Sequence, residues 1–234
     1  MSQQLLRFDD EPDRAATAEA VPVAPGAYWV PGWLGPEQQR ELADACALWA
    51  LPPAGVRRPA MRDGAEFHTR AVCLGWHWYP YRYSRTCDDH DGAPVKPFPD
   101  LLRRLGRDAC LATGFEPAGF DASIVNFYDH DSMLGLHQDA SEGSAVGAGS
   151  PVVTISLGDT CAFRFGNSVS RSKPYRDIQL ASGDVFVFGG PSRLAYHGVP
   201  KVLAGTGPRS LGVTGRISVT LRVSGMQETV ADHH

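Results

Sequence analysis

Residues 151–165 read Pro-Val-Val-Thr-Ile-Ser-Leu-Gly-Asp-Thr-Cys-Ala-Phe-Arg-Phe, two apolar runs that a Gly-Asp pair separates. Short runs rich in β-branched and aromatic residues, bounded by turn residues, are typical of strands. The same texture continues through the second half of the chain. It predicts eight strands, at 122–128, 133–137, 151–158, 161–165, 176–180, 184–188, 193–199 and 215–223. Eight short strands at this spacing favour a double-stranded β-helix, or jelly roll.

The first half of the chain predicts helices that flank this core. Pro36 fits the first turn of a helix over 36–50, and a second helix is predicted over 99–113. Residues 71–84 are aromatic and interrupted by glycine and proline, which indicates a hairpin. The predicted fold class is therefore α+β, mainly β.

Composition limits the classes of function. Hydrophobic residues make up 43% of 234 residues, enough for a large core, and the net charge of −4 argues against a broadly basic nucleic-acid surface. We expect a soluble, cytoplasmic protein, because neither a secretory leader nor an apolar run of membrane-spanning length is visible. We also expect a monomer, because the sequence shows no oligomerisation signal. Five cysteines without a C-x-x-C pair favour a reducing compartment. They are Cys46, Cys73, Cys87, Cys110 and Cys161.

The motif His137-Gln138-Asp139, with His197 far downstream, predicts a metal site. If residues 134–139 are extended, the side chains at 137 and 139 point to the same face. Two imidazoles and one carboxylate on one face of a metal form the facial triad of non-haem Fe(II) oxygenases, whose open positions receive a co-substrate and dioxygen. The alternative is a pair of solvated loop histidines.

The last predicted strand carries a second constellation. Arg216, Ser218, Thr220 and Arg222 share one face of this strand. Beside an iron triad, two arginines suit a dicarboxylate such as 2-oxoglutarate, because the guanidinium fork binds carboxylates bidentately. The alternative is an amphipathic strand with a hydrated polar face. Asn126 and Tyr128 alternate in the same way on strand 122–128, where they could add hydrogen bonds or be ordinary strand residues.

In these motifs the chain resembles the AlkB family of 2-oxoglutarate- and Fe(II)-dependent dioxygenases. The resemblance covers about residues 71–223 in order. It includes Asn126-Phe127-Tyr128, Leu134 to Asp139, Ser156-Leu157-Gly158, Ser182 to Gly190, Ser192-Arg193-Leu194, Tyr196-His197-Gly198 and the strand from Arg216 to Arg222.

The resemblance implies a jelly roll that binds Fe(II) through His137, Asp139 and His197. It implies further that 2-oxoglutarate is held by Asn126, Tyr128, Arg216, Ser218 and Arg222, with Arg216 on the distal carboxylate and Arg222 near the carboxylate closest to iron. The family pattern often has asparagine where this chain has Ser218.

On the substrate side, the resemblance implies an N-terminal lid that holds a flipped nucleobase. Between residues 57 and 85 there are six arginines and two acids, with five interleaved tryptophans and tyrosines. This pattern suits stacking on single-stranded bases, although it is also compatible with a hairpin packed on the core. The implied substrate contacts are Trp76 as the stacking ring, Tyr81, Arg82, Tyr83, Ser141 and Arg171.

The function that these expectations define is oxidative demethylation of N-alkylated bases, of the 1-methyladenine and 3-methylcytosine type, with release of formaldehyde. Single- or double-stranded DNA is the expected partner, and RNA is an open alternative. Two rivals remain open, a related dioxygenase that hydroxylates a protein or small molecule, and a non-enzymatic cupin-like binding module.

The implied organisation has four segments. A flexible arm covers 1–24, the extension with helices and nucleotide-recognition lid covers 25–120, the catalytic jelly roll covers 121–225 and a tail covers 226–234.

Overall fold

Strands dominate a computed structural model of the protein, which describes residues 19–61, 64–79 and 82–226. The helices are α1 (Pro36–Trp49), α2 (Asp100–Ala112) and a single turn, α3 (Ser144–Gly147). The strands are β1 (Val21–Ala24), β2 (Ala27–Val30), β3 (Arg70–Leu74), β4 (His77–Tyr79), β5 (Arg82–Ser84), β6 (Ala122–Tyr128), β7 (Leu134–His137), β8 (Val152–Gly158), β9 (Thr160–Phe165), β10 (Arg176–Leu180), β11 (Val185–Phe188), β12 (His197–Leu203) and β13 (Arg216–Arg222).

Two antiparallel sheets form the core. The larger has the order β1-β2-β11-β8-β13-β6-β3 and the smaller has the order β10-β9-β12-β7, while β4 and β5 form a separate hairpin. The eight predicted core strands correspond to β6–β13, so the predicted jelly roll is confirmed.

Alternating residues of one strand show how the layers are filled. In β11, Val185 and Val187 belong to the hydrophobic cluster beneath the helices, whereas Phe186 and Phe188 belong to the cluster between the sheets. Successive side chains of a strand point to opposite faces, so β11 serves both layers. All seven residues of β8 and of β13 are buried for the same reason.

The two long helices cover the outer face of the large sheet. In α2, Leu102, Leu105 and Ala109 recur at helical spacing and are buried in the same cluster as the sheet residues. Pro36 begins α1, and the Gln38 side chain accepts a hydrogen bond from the Gly35 backbone at 3.0 Å. Across the described ranges, no helix combines the length and apolarity that a membrane crossing requires.

A tight turn directs the chain from the large sheet into the β4–β5 hairpin. Gly75 has a φ of +78°, and a Cβ atom there would lie 1.9 Å from the Asp121 carbonyl oxygen. Only glycine fits this combination of positive φ and close approach. The turn therefore fixes where the hairpin leaves the core.

Three details of the sequence interpretation are corrected. Residues 21–24 of the predicted arm form β1, an edge strand paired with β2. The strand predicted at 193–199 begins only at His197, because residues 190–192 form a 3-10 turn and Arg193 points into the interior. The large sheet also takes strands from both sides of position 120, so that position is not a structural seam.

Candidate active site

The three predicted metal ligands meet where the small sheet ends. His137 is the last residue of β7 and His197 is the first residue of β12, and the two are partners in the antiparallel register. Asp139 follows two residues after His137. One ligand atom from each of the three lies within 4.8 Å of the others.

Backbone carbonyls orient both imidazoles. Nδ1 of His137 lies 2.9 Å from the Gly135 carbonyl oxygen, and Nδ1 of His197 lies 3.0 Å from the Ala195 carbonyl oxygen. A carbonyl oxygen only accepts, so each Nδ1 carries the hydrogen and each Nε2 presents its lone pair. This arrangement of metal-binding histidines fixes the tautomer and the ring orientation.

Burial and charge prepare the ligands for a cation. Burial lowers the pKa of His197 to about 4, so its imidazole is neutral at neutral pH. Burial alone would raise the pKa of Asp139, but Arg222 and then His197 lower this pKa to about 2. The triad therefore presents the Asp139 carboxylate and the neutral ring of His197, with His137 beside them.

The donor atoms of the triad suit a metal ion. Asp139 Oδ2 is buried and lacks a hydrogen-bond partner among the described residues. His197 Nε2 lies 3.8 Å from it, too far for a hydrogen bond. A buried carboxylate oxygen without a partner is costly unless a cation binds it. Two histidines and one carboxylate are the donor set that suits non-haem Fe(II).

All five residues predicted to hold 2-oxoglutarate line one cavity with His137 and His197. The cavity lies between the sheets and is open to solvent on one side. The β6–β13 register explains the grouping, because Arg216 lies opposite Tyr128 and Ser218 lies opposite Asn126. The polar face of β13 is therefore buried rather than hydrated.

Arg216 lines this cavity with its guanidinium group. Its side chain is 1% exposed, Nε donates to Ser156 Oγ at 3.1 Å, and the guanidinium lies 4.9 Å from the centre of the Tyr128 ring. Its Nη1 and Nη2 atoms are buried without a hydrogen-bond partner in the described structure. A carboxylate is the group that satisfies both atoms at once.

Sequence reasoning missed a buried charge network behind the triad. Arg222 donates through Nη2 to Asp139 Oδ1 at 2.5 Å and through Nη1 to Glu142 Oε1 at 3.4 Å. Arg193 donates to the Asp139 carbonyl oxygen at 2.5 Å and to Glu142 Oε2 at 3.2 Å. Arg193 stands in a quoted motif, but the sequence does not reveal that it and Glu142 are partners.

One cavity residue and one residue that supports Arg216 were also missed. Thr154 lines the cavity from β8 and lies 3.4 Å from Thr220, oxygen to oxygen. Ser156, two residues further along β8, accepts the bond from Arg216. The alternation of Thr154 and Ser156 in an otherwise apolar strand was the available signal.

On the substrate side, the structure corrects two predicted contacts. Trp76 is 8% exposed, its Nε1 donates to Asp121, and the Arg85 guanidinium lies 3.5 Å from its ring centre. Tyr83 is also buried, and its hydroxyl donates to Glu142 Oε1 at 2.6 Å. Both side chains pack the hairpin onto the core instead of presenting a free ring.

The aromatic residue that reaches the metal-binding segment is Trp78. Its Nε1 lies 3.5 Å from Ser141 Oγ, two residues beyond Asp139, and its half-buried ring meets Phe67 edge-on. Ser141 was a predicted substrate contact, and the structure places it beside this ring.

The remaining predicted contacts have different positions. Arg82 is exposed above the Tyr79 ring, and exposed Arg171 lies 5.7 Å from the Tyr196 ring centre. Tyr81 lies outside the described residues. Arg57, part of the basic segment, is buried and paired with Asp89 at 2.9 Å, so it supports the hairpin rather than the surface charge.

The sequence profile of the 2OG-Fe(II) oxygenase superfamily matches residues 26–222. The chain belongs to the 2OG-Fe(II) oxygenase superfamily. Members of this superfamily use Fe(II), 2-oxoglutarate and dioxygen, as the sequence predicted, and the triad of His137, Asp139 and His197 could form the iron site.

Individual relatives confirm the resemblance to AlkB. The chain is 37% identical to an alpha-ketoglutarate-dependent dioxygenase AlkB homolog of Caulobacter vibrioides, over 88% of this chain and 90% of the relative. It is 31% identical to the DNA N(6)-methyladenine demethylase ALKBH1D of Arabidopsis thaliana, over 86% of this chain and 50% of the relative. The chain thus spans about half the length of this and a second Arabidopsis relative.

A solved structure has the same fold. The structure of OsALKBH1 matches with a TM-score of 0.80 and 32% identity, and the match covers 86% of this chain and 100% of that chain. The predicted monomer and the cytoplasmic location stay predictions, as does the four-segment division apart from the two points corrected above, strand β1 and position 120.

Proposed function

We propose that this 2OG-Fe(II) oxygenase oxidatively demethylates N-alkylated bases in nucleic acid, with DNA as the main substrate. The observation that carries the oxygenase part is the cavity between the sheets. It brings the unpartnered fork of Arg216 and the Nε2 atoms of His137 and His197 to one space.

Charge explains why this cavity suits a dicarboxylate. Around the site, Asp139 and Glu142 are buried with three guanidiniums, those of Arg193, Arg216 and Arg222. The protein therefore contributes one uncompensated positive charge, and a ferrous ion adds two more. A dianion offsets two of these three positive charges, and pairing favours such a ligand because unpaired buried charges are costly. 2-Oxoglutarate is a dianion of this kind.

We assign the residues accordingly. His137, Asp139 and His197 hold Fe(II). Arg216 binds the distal carboxylate of 2-oxoglutarate, and Asn126, Tyr128, Ser218 and Arg222 line its remaining length. When bound, Fe(II) and 2-oxoglutarate supply the oxidation by dioxygen that releases an N-methyl group as formaldehyde.

The protein contributes position and dryness to this reaction. The ring centre of His197 lies 4.9 Å from that of Phe188 and 6.0 Å from that of Phe163. Both rings are buried, so they exclude water from one side of the imidazole and fix its plane. Arg222 holds the Asp139 carboxylate through Oδ1 and leaves Oδ2 for the metal.

Two observations support a nucleobase as the substrate. The named relatives include a DNA N(6)-methyladenine demethylase. Trp78 places an aromatic ring and Ser141 a hydroxyl next to the metal-binding segment. An aromatic ring stacks on any base, and a methylated base that pairs poorly flips out of a duplex at lower cost. We assign the stacking role to Trp78, while exposed Arg82 and Arg171 suit contacts with the phosphate backbone.

A panel of methylated oligonucleotides tests the proposal. The full chain is incubated with Fe(II), 2-oxoglutarate and single- or double-stranded DNA, or RNA, carrying 1-methyladenine, 3-methylcytosine or N6-methyladenine. We expect formaldehyde and a mass loss of one methylene group per lesion. Succinate formation without any demethylation would instead favour a dioxygenase for protein or small molecules, and absence of 2-oxoglutarate binding would favour a non-catalytic module.

Two variants check the assigned residues. His137→Ala should abolish turnover while the chain stays folded, because a metal ligand is lost. His130→Ala should keep full turnover, since His130 lies mostly exposed beside Asp159 instead. Trp78→Ala should retain 2-oxoglutarate consumption without DNA but lose most demethylation. Normal formaldehyde release by His137→Ala would refute the site assignment.

A further inference from the structure

We propose that Glu142 is a positioning residue, which ties the lid hairpin to the metal-binding carboxylate of Asp139. This inference rests on the metal assignment proposed above. It goes beyond that assignment because Glu142 does not touch the metal, the co-substrate cavity or the substrate surface.

Glu142 is an acid in the interior with three partners. Its side chain is fully buried, and the residue as a whole is 1% exposed. Oε1 accepts from the Tyr83 hydroxyl at 2.6 Å and from Arg222 Nη1 at 3.4 Å, and Oε2 accepts from Arg193 Nη2 at 3.2 Å. Tyr83 belongs to β5, so one of these bonds crosses from the hairpin to the core.

Both arginines that bind Glu142 also bind Asp139. Arg222 binds the side chain of Asp139 through Oδ1, and Arg193 binds its backbone carbonyl oxygen, both at 2.5 Å. Asp139 is thus fixed at two points by two guanidiniums that share one acid. The position of the free oxygen, Oδ2, depends on where Glu142 holds these arginines.

Electrostatics gives this arrangement a direct effect on metal binding. Glu142 and Asp139 balance the charges of Arg193 and Arg222, and all four side chains are buried. Without the charge of Glu142, the two guanidiniums would have Asp139 as their sole acid in this network. They would draw its carboxylate away from a bound cation and would repel that cation. Residues of this kind behind a metal site typically change metal affinity by about 10–100-fold.

The test measures metal affinity without substrate. Mn(II), a divalent ion that resists air oxidation, is titrated into the metal-free full chain, and binding is followed by calorimetry and by the loss of the free-ion EPR signal. The variants are Glu142→Gln, which keeps shape but removes charge, and Tyr83→Phe, which removes only the hydroxyl. Asp184→Asn is the matched control, because Asp184 is also a buried acid but bonds Trp29, Gly32 and Ala181 instead.

We expect Glu142→Gln to weaken Mn(II) binding 10- to 100-fold and Tyr83→Phe about threefold to tenfold. Asp184→Asn should bind within about twofold of the natural chain while losing thermal stability. If Glu142→Gln fails to fold, the Tyr83→Phe titration decides. Unchanged Mn(II) affinity in folded Glu142→Gln, or in Tyr83→Phe when it decides, would mean that the network only stabilises the fold and would overturn this inference. Failure of the natural chain to bind Mn(II) would overturn the metal assignment itself.

Discussion

Two buried arginines of β13, six residues apart, have opposite surroundings. Arg222 lies between two acids, since it bonds Asp139 and Glu142, and only its Nε lacks a partner in the described structure. Arg216 contacts a serine and the Tyr128 ring, and two of its guanidinium nitrogens have no partner in the described structure. Both are less than a tenth exposed, so the difference lies in pairing and not in burial.

This difference distinguishes Arg222, which stabilises its protein partners, from Arg216, which requires a ligand. A closed ion network stabilises its own members, and loss of one partner strands the others. An unpaired buried charge is costly, so it persists where a ligand compensates it. Four predictions test the distinction, from the largest expected effect to the smallest.

The largest effect concerns the stability of the metal-free chain. Arg222→Met should lower the free energy of unfolding by about 3–5 kcal/mol, because Asp139 and Glu142 lose a buried counter-charge. Arg216→Met should change it by about 1 kcal/mol or less, because no acid is left unpaired. Urea unfolding of both variants measures the contrast, and equal losses would contradict it.

The pH dependence of stability tests the burial of His197, which lines the same cavity as Arg216. The pKa of His197 is about 4 in the folded chain against 6.5 for a free side chain, because burial disfavours its charged form. As pH falls, the unfolded chain takes up this proton first. The stability contribution of neutral His197 is therefore complete above pH 6.5 and is lost between 6.5 and about 4, by up to about 3 kcal/mol.

The measurement compares the natural chain with His197→Gln, which cannot titrate there, in metal-free urea unfolding from pH 7 to 4. Groups outside the site contribute equally to both chains, so the difference reports on His197 and on Asp139, whose pKa depends on it. Parallel pH profiles would show that His197 is not held neutral by burial.

The third prediction uses the co-substrate. With Mn(II) present, 2-oxoglutarate at about 100 times its Kd should add about 2.7 kcal/mol of stability through mass action. Arg216→Met should lose most of this gain at the same concentration. Arg164→Met, which changes an arginine paired with Asp177 on the surface, should keep it. If Arg216→Met gained the full stability from 2-oxoglutarate, the dicarboxylate would bind at another site.

The smallest effect contrasts a closed network in the interior with a pair at the surface. Arg164 binds Asp177 bidentately, at 2.7 and 2.8 Å, but both side chains are partly exposed. Asp177→Asn should cost at most about 1 kcal/mol, because solvent screens such pairs. If Asp177→Asn lost as much stability as Arg222→Met, burial would not explain the large effect expected for Arg222→Met.

Much of the fold could be read from local pattern. Short apolar runs bounded by turn residues predicted strands β6, β8 and β13, whose observed bounds differ from expectation by at most one residue. β12 was displaced because the segment before it turns inward at Arg193 to reach Asp139, a contact that local pattern does not encode.

The substrate side was harder to predict because it depends on packing. Trp76 and Trp78 are both aromatic and close in sequence, and only the Gly75 turn and the hairpin decide that Trp76 is buried while Trp78 reaches Ser141. Tyr83 likewise fits a surface role in sequence, but its hydroxyl is needed by a buried acid.

The sequence by itself determined the jelly roll and the arginine face of β13 and predicted the three metal ligands, because residue type and spacing specify them. The tertiary structure alone decided which arginine is paired and which is open, and that Glu142 joins the hairpin to Asp139. Pairing of buried charges depends on distances between segments far apart in the chain, and no local pattern records those distances.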